Sequence, residues 1–471
     1  MTVYHLKGGA SRNMRFKTLA RKNRLYLTIA VVTALLLVAV LFNGVSAQKS
    51  LAESAAPGSA VVVVQFADGH TAVRQVTWTG TISRPLALQA AGFVIESSGD
   101  VVCSIEGEGC PASDCFCASN LWAQGQWAGT AWDSEAWPPP NVVDGDVIAF
   151  RNGTKPDYSD WGLTGFLPAA PTYVAASKAL EWMRGQQQSN GGYHDGFDPI
   201  GASVRGLLAV GSAGYDPAKW GNPSLFDFLT VVSRTATIQY AAQSASGVGK
   251  LTIGAAWAHQ TVTDFAGINL PISITSFYNP TTGAYGNGSG DTAWAMLGLH
   301  AAGEAIPAQA VAFLKSVQNA DGGWAWNEWG KTSETQHTAT VVQALLAASE
   351  PVGSAEVSKA LAFIRSNRNS DGGYGYQSGD ASDVDTTAFA VQALLSAAAS
   401  PGGNWCATVQ CDYLLSQQAS DGSYLFYGAP SLYTTQEVIP ALMHRPYGPL
   451  ADWQYNCHFV YFPVMALHSG K

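Results

Sequence analysis

FLKSVQNADGGW at 313–324, FIRSNRNSDGGY at 363–374 and YLLSQQASDGSY at 413–424 are one pattern written three times. Asp321, Asp371 and Asp421 fall 50 residues apart. In each copy the apolar residues run at helical spacing, a glycine breaks the helix, and an aromatic side chain stands just past the break. WMRGQQQSNGGY at 182–193 is a fainter copy.

A second helix follows each unit. Thr292-Ala-Trp-Ala-Met-Leu, Thr338-Ala-Thr-Val-Val-Gln, Thr387-Ala-Phe-Ala-Val-Gln and Thr435-Gln-Glu-Val-Ile-Pro share one register at steps of 46, 49 and 48. Ser203-Val-Arg-Gly-Leu-Leu and the segment near Thr252 extend the series to six. Helix pairs at this period must stack to bury their apolar faces. Six pairs predict an all-α, six-on-six α/α toroid over 168–450, with the Ala- and Leu-rich second helices inside, followed by a tail at 451–471.

The preceding segment has another character. Ala60–Phe66 reads as a strand, Asp68-Gly69 as a turn and Thr71–Thr79 as the hairpin partner. RPLALQAAG at 84–92 has helical periodicity with a glycine stop, and Val147–Arg151 is a further strand. The whole chain is therefore expected to be multidomain α and β, with a β-grasp-like α+β domain over 59–167. Cys103, Cys110, Cys115 and Cys117 crowd into CSIEGEGCPASDCFC and predict two disulfides of open connectivity; Cys406, Cys411 and Cys457 form a second group with one thiol left over.

Residues 1–24 carry seven Lys and Arg and no acid, and an apolar run at 25–42 follows. This predicts a signal peptide or membrane anchor over 1–47, a linker at 48–58, and an extracytoplasmic location for the rest, secreted or tethered. Without 1–47 the charge is 18 basic against 34 acidic residues, −16, which disfavours nucleic acid and anionic lipid as partners. Only 13% of residues are charged and 15 are Trp, which argues against disorder.

The glycine-broken units resemble the repeats of the terpenoid cyclase and prenyltransferase toroids, a superfamily that includes the helical domain of cobalamin carriers. Residues 60–167 resemble the transcobalamin-like C-terminal domain. The resemblance implies an exported binding protein that holds cobalamin or a related corrinoid between small domain and ring, with no cofactor required. A cell-envelope component is the other partner expected, for an adhesion protein whose ring is scaffold.

A third reading is enzymatic. Asp383-Val384-Asp385-Thr386-Thr387 resembles the acidic motif of squalene-hopene-type class II cyclases, which implies Asp385 as the acid, with Asp383 beside it and Thr386 where a further acid is expected. The plainer reading, preferred here, is that Asp385 and Thr386 cap the next inner helix. No HExxH, GxSxG or P-loop occurs, no metal set is apparent, and His194, His259, His300 and His337 read as surface or cap residues.

Aromatics supply the binding candidates. Trp324, Tyr374 and Tyr424, just past the breaks, are expected to fill space between helix pairs. Trp326, Tyr376 and Phe426, two residues later, are expected to meet ligand, with Gln336, Asp383 and Asp385 as polar hooks at the same rim. Trp122, Trp127, Trp132 and Trp137 recur too irregularly for one helix or strand and read as either a ligand-facing loop or core.

Overall fold

A computed structural model describes residues 57–67, 71–117, 122–127, 132–134, 139–152, 171–327, 331–399 and 411–449. The export segment 1–47, most of the linker, Trp137, Cys406, Cys457 and the tail 451–471 lie outside the described residues, as does the side chain of Trp132. Among the described residues no helix is long and apolar enough to cross a membrane.

The Val-rich stretch forms β1 (Gly58–Gln65), paired antiparallel with β2 (Thr71–Trp78) and parallel with β8 (Val147–Asn152). With β6 (Trp122–Trp127) and β7 (Trp132–Ser134) they make a sheet of order β2-β1-β8-β6-β7. One face buries Val62, Val64, Ile148 and Phe150 against Leu88 of α1 (Arg84–Ala90). The other buries Val61, Val63, Val73 and Ala149 against Val174 of the first ring helix. A strand covered on both faces needs no polar alternation, which explains the unbroken valines. Disulfides Cys103–Cys115 and Cys110–Cys117, with Cα atoms 4.7 and 5.7 Å apart, tie down the short strands β3 (Ile95–Ser98), β4 (Val101–Ile105) and β5 (Glu108–Gly109). Among the described cysteines only Cys411 is free, and it is buried.

Six helical hairpins follow. The outer helices are α2 (Pro171–Gly185), α4 (Arg234–Gln243), α6 (Leu270–Thr275), α8 (Ala308–Ser316), α10 (Ala355–Ser366) and α12 (Asp412–Ser416). The inner helices are α3 (Pro199–Ser212), α5 (Ala245–Trp257), α7 (Ser289–Ala301), α9 (Thr335–Ala347), α11 (Val384–Ala399) and α13 (Leu432–Leu442). Each inner helix packs on the next, and α13 packs back on α3, so the helical domain closes into a toroid. Outside, α2 reaches back to α12 and α13, and the Gln418 amide donates to the Ala175 carbonyl at 2.7 Å. Helices α5 and α7 approach through Gly249 and Gly298, where a Cβ on Gly249 would lie 2.3 Å from the Trp294 carbonyl oxygen.

The repeated sequence unit is a repeated hydrogen-bond circuit. Asp321, Asp371 and Asp421 Oδ1 accept from the backbone N–H two residues on, each at 3.0 Å. Gly322, Gly372 and Gly422 turn the chain at φ 93°, 89° and 94°, a region that glycine adopts without steric cost. The next aromatic donates its N–H to an inner-helix hydroxyl, always at 2.9 Å: Tyr193 to Ser203, Tyr285 to Thr292, Trp324 to Thr338, Tyr374 to Thr387 and Tyr424 to Thr435. Trp324, Tyr374 and Tyr424 are buried between hairpins, as expected of them.

The small domain docks on the outside of the ring. Edge strand β2 donates the Val73 N–H to Ser177 Oγ at 2.6 Å, and Arg74 pairs with Glu181, both on α2. The Tyr215 hydroxyl donates to the Thr71 carbonyl at 2.9 Å. An otherwise unpaired sheet edge is thus covered by a helix.

Thr387→Val keeps the shape but leaves the Tyr374 N–H buried without an acceptor. It should cost about 1–3 kcal/mol, read as a lower unfolding midpoint in denaturant; an unchanged midpoint would remove the hydroxyl from its structural role.

Candidate active site

Closure of the ring turns one stripe of each inner helix towards its axis. On α11 that stripe is Asp385, Phe389, Gln392 and Ser396, at helical spacings of four, three and four. Contacts between helices that are not ring neighbours locate the lumen. Trp294 of α7 meets Phe389 of α11 edge-on at 6.2 Å, and the Lys250 ammonium of α5 influences Glu437 of α13. Arg205 of α3 lies 4.7 Å from the Tyr433 ring centroid, and Lys250 lies 4.6 Å from that of Trp294.

Exposure falls along the axis. Tyr433, at the end where the inner helices begin, is 37% exposed. Lys250, Arg205 and Asp385 are half-buried within the ring, and Trp294 and Phe389 are 2% exposed. At the far end residues 443–449 close the ring. Tyr447 stacks on Trp257 at 5.3 Å and meets Trp294 at 4.9 Å, while its N–H donates to Gln343 Oε1 at 2.8 Å. Along the axis, Tyr433 and Asp385 thus stand where the inner helices begin, with Arg205 and Lys250 further in and the buried rings of Trp294, Phe389 and Tyr447 packed together beyond them.

Asp385 differs from its neighbour Asp383. Asp383 Oδ1 accepts from the Thr386 N–H at 2.7 Å, so Asp383 caps α11 and Thr386 is buried behind it. The expectation that Asp385 and Thr386 form the cap is corrected: the cap lies two residues earlier, and Asp385 is left to face the lumen. The Thr434 hydroxyl is 3.4 Å from Asp385 Oδ2, and Oδ1 is buried without a partner. Burial, then the charges of Glu437 and Asp383, push the Asp385 carboxyl up to about 7. Burial lowers the Lys250 ammonium in turn. The lumen therefore holds a carboxyl that keeps its proton near neutrality, with Arg205 close enough to favour the anion once the proton leaves.

A second cluster sits at the start of α9. Trp326 lies 4.8 Å from the His337 ring, Tyr376 lies 6.3 Å from it on the other side, and His337 Nδ1 contacts Glu334. Burial raises the Glu334 carboxyl, but the hydrogen bonds from His337 and Tyr376 outweigh it and hold it below the usual range. Trp326 also closes over Gly290, where a Cβ would sit 2.4 Å from its ring.

The expected contact residues divide accordingly. Trp326 and Tyr376 come together around His337, Gln336 interacts with the Tyr433 hydroxyl, and Phe426, 53% exposed, stands beside Tyr427 in the hairpin of β9 (Leu425–Phe426) and β10 (Ala429–Pro430). Trp122 is corrected from ligand contact to core: it is 6% exposed, packs edge-on against Phe66, and donates its indole N–H to the Glu108 carbonyl at 3.0 Å. Trp127 packs half-buried against the sheet face that meets α2. Sequence reading missed Arg205, Lys250, Glu437, Trp294 and Tyr447. A single charge inside an otherwise apolar inner helix, as in SVRGLLAV, GVGKLTIG and TQEVIPAL, is the signal that marks the first three.

The folded protein binds the Asp385 proton more tightly than the unfolded chain, in which an Asp titrates near 3.8. Stability from this group is therefore greatest below about pH 4 and is lost as pH rises to about 7. Asp385→Asn should unfold at a higher temperature than the wild type at about pH 8, with the gap closing towards acid; a variant less stable at every pH would contradict the raised carboxyl.

Among solved structures the chain is similar to the apo type II terpene cyclase MstE from Scytonema, at 14% identity and TM-score 0.45, over 58% of this chain and 97% of that one. It is also similar to a glycosidase variant, at 14% identity and TM-score 0.44, over 59% and 98%, and to a protein from Actinoplanes, at 17% identity and TM-score 0.39, over 58% and 99%. No curated protein matches it in sequence. The expected corrinoid carrier is corrected on two grounds. The described contacts of the small domain's sheet run to outer helix α2, and the family match falls to the cyclase alternative. Residues 304–468 match the squalene-hopene cyclase C-terminal domain.

Proposed function

We propose that the ring is a class II terpenoid cyclase that starts cyclisation of an isoprenoid chain by protonating an alkene from Asp385. One observation carries this reading: Asp385 has a carboxyl oxygen buried inside the ring without a partner, and burial with the nearby Glu437 and Asp383 pushes the carboxyl up to about 7. The match of residues 304–468 to the squalene-hopene cyclase C-terminal domain supports it.

The chemistry follows from the groups around the acid. Proton transfer from Asp385 to a terminal double bond leaves a carboxylate on the protein and a tertiary cation on the chain. The Thr434 hydroxyl and Arg205 stabilise the carboxylate. The next double bond attacks the cation to close a ring, and the positive charge moves towards Trp294, Phe389 and Tyr447, whose ring faces attract cations. Loss of a proton to water ends the sequence, and Asp385 regains a proton from water, so the net change is isomerisation. Thr386 departs from the cyclase motif, and Glu437 and Asp383 supply the neighbouring carboxylates instead.

On the same footing we read 1–47 as an export signal or membrane anchor, 59–167 as a β-grasp-like domain and 168–450 as the toroid. The sheet order, with the two central strands parallel, supports the second of these. The resulting protein would act outside the cytoplasm on a small apolar molecule.

Incubation with isoprenoids of three to six units, read by gas chromatography and mass spectrometry, should give cyclic isomers of unchanged mass. Asp385→Asn should lose about a hundredfold or more of that activity while remaining folded. Full activity in this variant, or no conversion by the wild type, contradicts the reading.

A further inference from the structure

We propose that Tyr447, carried on the strap of residues 443–449, is the floor of the lumen and sets how long a chain the ring accepts. The inference rests on the cyclase reading for the identity of the chain, but the floor itself rests on geometry.

The strap is built to enter the ring. After α13 the chain reverses at His444, whose φ of 50° is left-handed, and the Arg445 N–H donates back to the Pro440 carbonyl at 2.9 Å. That motif ends a helix and redirects the chain sharply. Arg445 then lies 5.2 Å from the Trp257 ring and donates to the Gly211 carbonyl at 3.2 Å, at the end of α3. A cation beside the last carbonyls of a helix is favoured by the helix dipole.

The strap then touches the remaining inner helices. Tyr447 and Gly448 both donate N–H to Gln343 Oε1 of α9, at 2.8 and 3.2 Å. A Cβ on Gly448 would lie 2.7 Å from Ser396 Oγ of α11, so a glycine is needed for the strap to pass. The Tyr447 ring meets Trp257, Trp294 and Phe389 from α5, α7 and α11, and its hydroxyl lies 3.5 Å from Glu437 of α13. All six inner helices are engaged by a single short segment. A residue needed only to end a helix would not reach the axis; this one places a flat ring across it, below the acid and 2% exposed.

The ring is comparable in size to an isoprene unit, so its removal should lengthen the pocket by about one unit. The test compares wild type, Tyr447→Ala, Tyr447→Leu and Tyr447→Phe in two assays. The first measures thermal stabilisation by benzene, which enters a dry apolar void without reference to any reaction. Benzene should stabilise the Ala or the Leu variant more than wild type or Tyr447→Phe; no added stabilisation in a folded Ala or Leu variant overturns the floor. The second measures conversion of isoprenols of four and six units. The ratio of kcat/KM for the longer over the shorter should rise about tenfold in the Ala or Leu variant and stay unchanged in Tyr447→Phe. An unchanged ratio in a benzene-stabilised variant overturns the length-setting role. No conversion by any form, with benzene still discriminating, overturns the cyclase reading and leaves the floor standing.

Discussion

One hydrogen bond, from an aromatic residue's backbone N–H to a buried Ser or Thr hydroxyl on the inner helix, holds the ring in register. It occurs at Ser203, Thr292, Thr338, Thr387 and Thr435 with the same length. At Ser203, Thr292 and Thr387 the same hydroxyl also donates to the carbonyl one turn back, so a polar group inside an apolar wall is fully satisfied. Because the bond fixes where the turn meets the inner helix, it fixes the rotation of these five helices. Rotation decides which stripe faces the axis, and so everything the lumen contains.

That lumen concentrates charge in a way an ordinary core does not. Arg205, Lys250, Asp385 and Glu437 come from four inner helices, and the charges of Arg205 and Glu437 act on both Lys250 and Asp385. Buried charges cost several kcal/mol apiece unless they are paired or neutralised. Here the cost appears as a carboxyl that retains its proton and an ammonium that holds its own less firmly. A scaffold selected only for stability would fill these positions with aliphatic side chains.

The repeats were legible because their information is local: apolar spacing, a glycine break, an aromatic and a hydroxyl at fixed intervals. Six hairpins allowed a closed ring, but spacing alone does not tell a ring from an open solenoid, so closure required the fold; the two disulfides followed from cysteine crowding, although their pairing required the fold too. The site was less legible because closure assembles it from residues far apart in sequence, such as Arg205 and Tyr433. Asp383 and Asp385 show the limit most sharply. Both stand at the start of one helix, and only the backbone geometry decides that the first caps it while the second turns inward. The spacing of Trp122 and Trp127 left a displayed loop and core equally open; both lie on β6, one in the small domain's core and one on the sheet face against α2.

The central claim is that the carboxyl facing the lumen still holds a substantial share of its protons at neutral pH. Carbon-13 NMR of protein labelled at the Asp carboxyl carbons, with Asp385→Asn used to assign the resonance, follows that group directly. A resonance that shifts with a midpoint near 7 is the predicted result. A midpoint near 3.8, the ordinary Asp value, would mean an ionised group at neutral pH and would contradict the account.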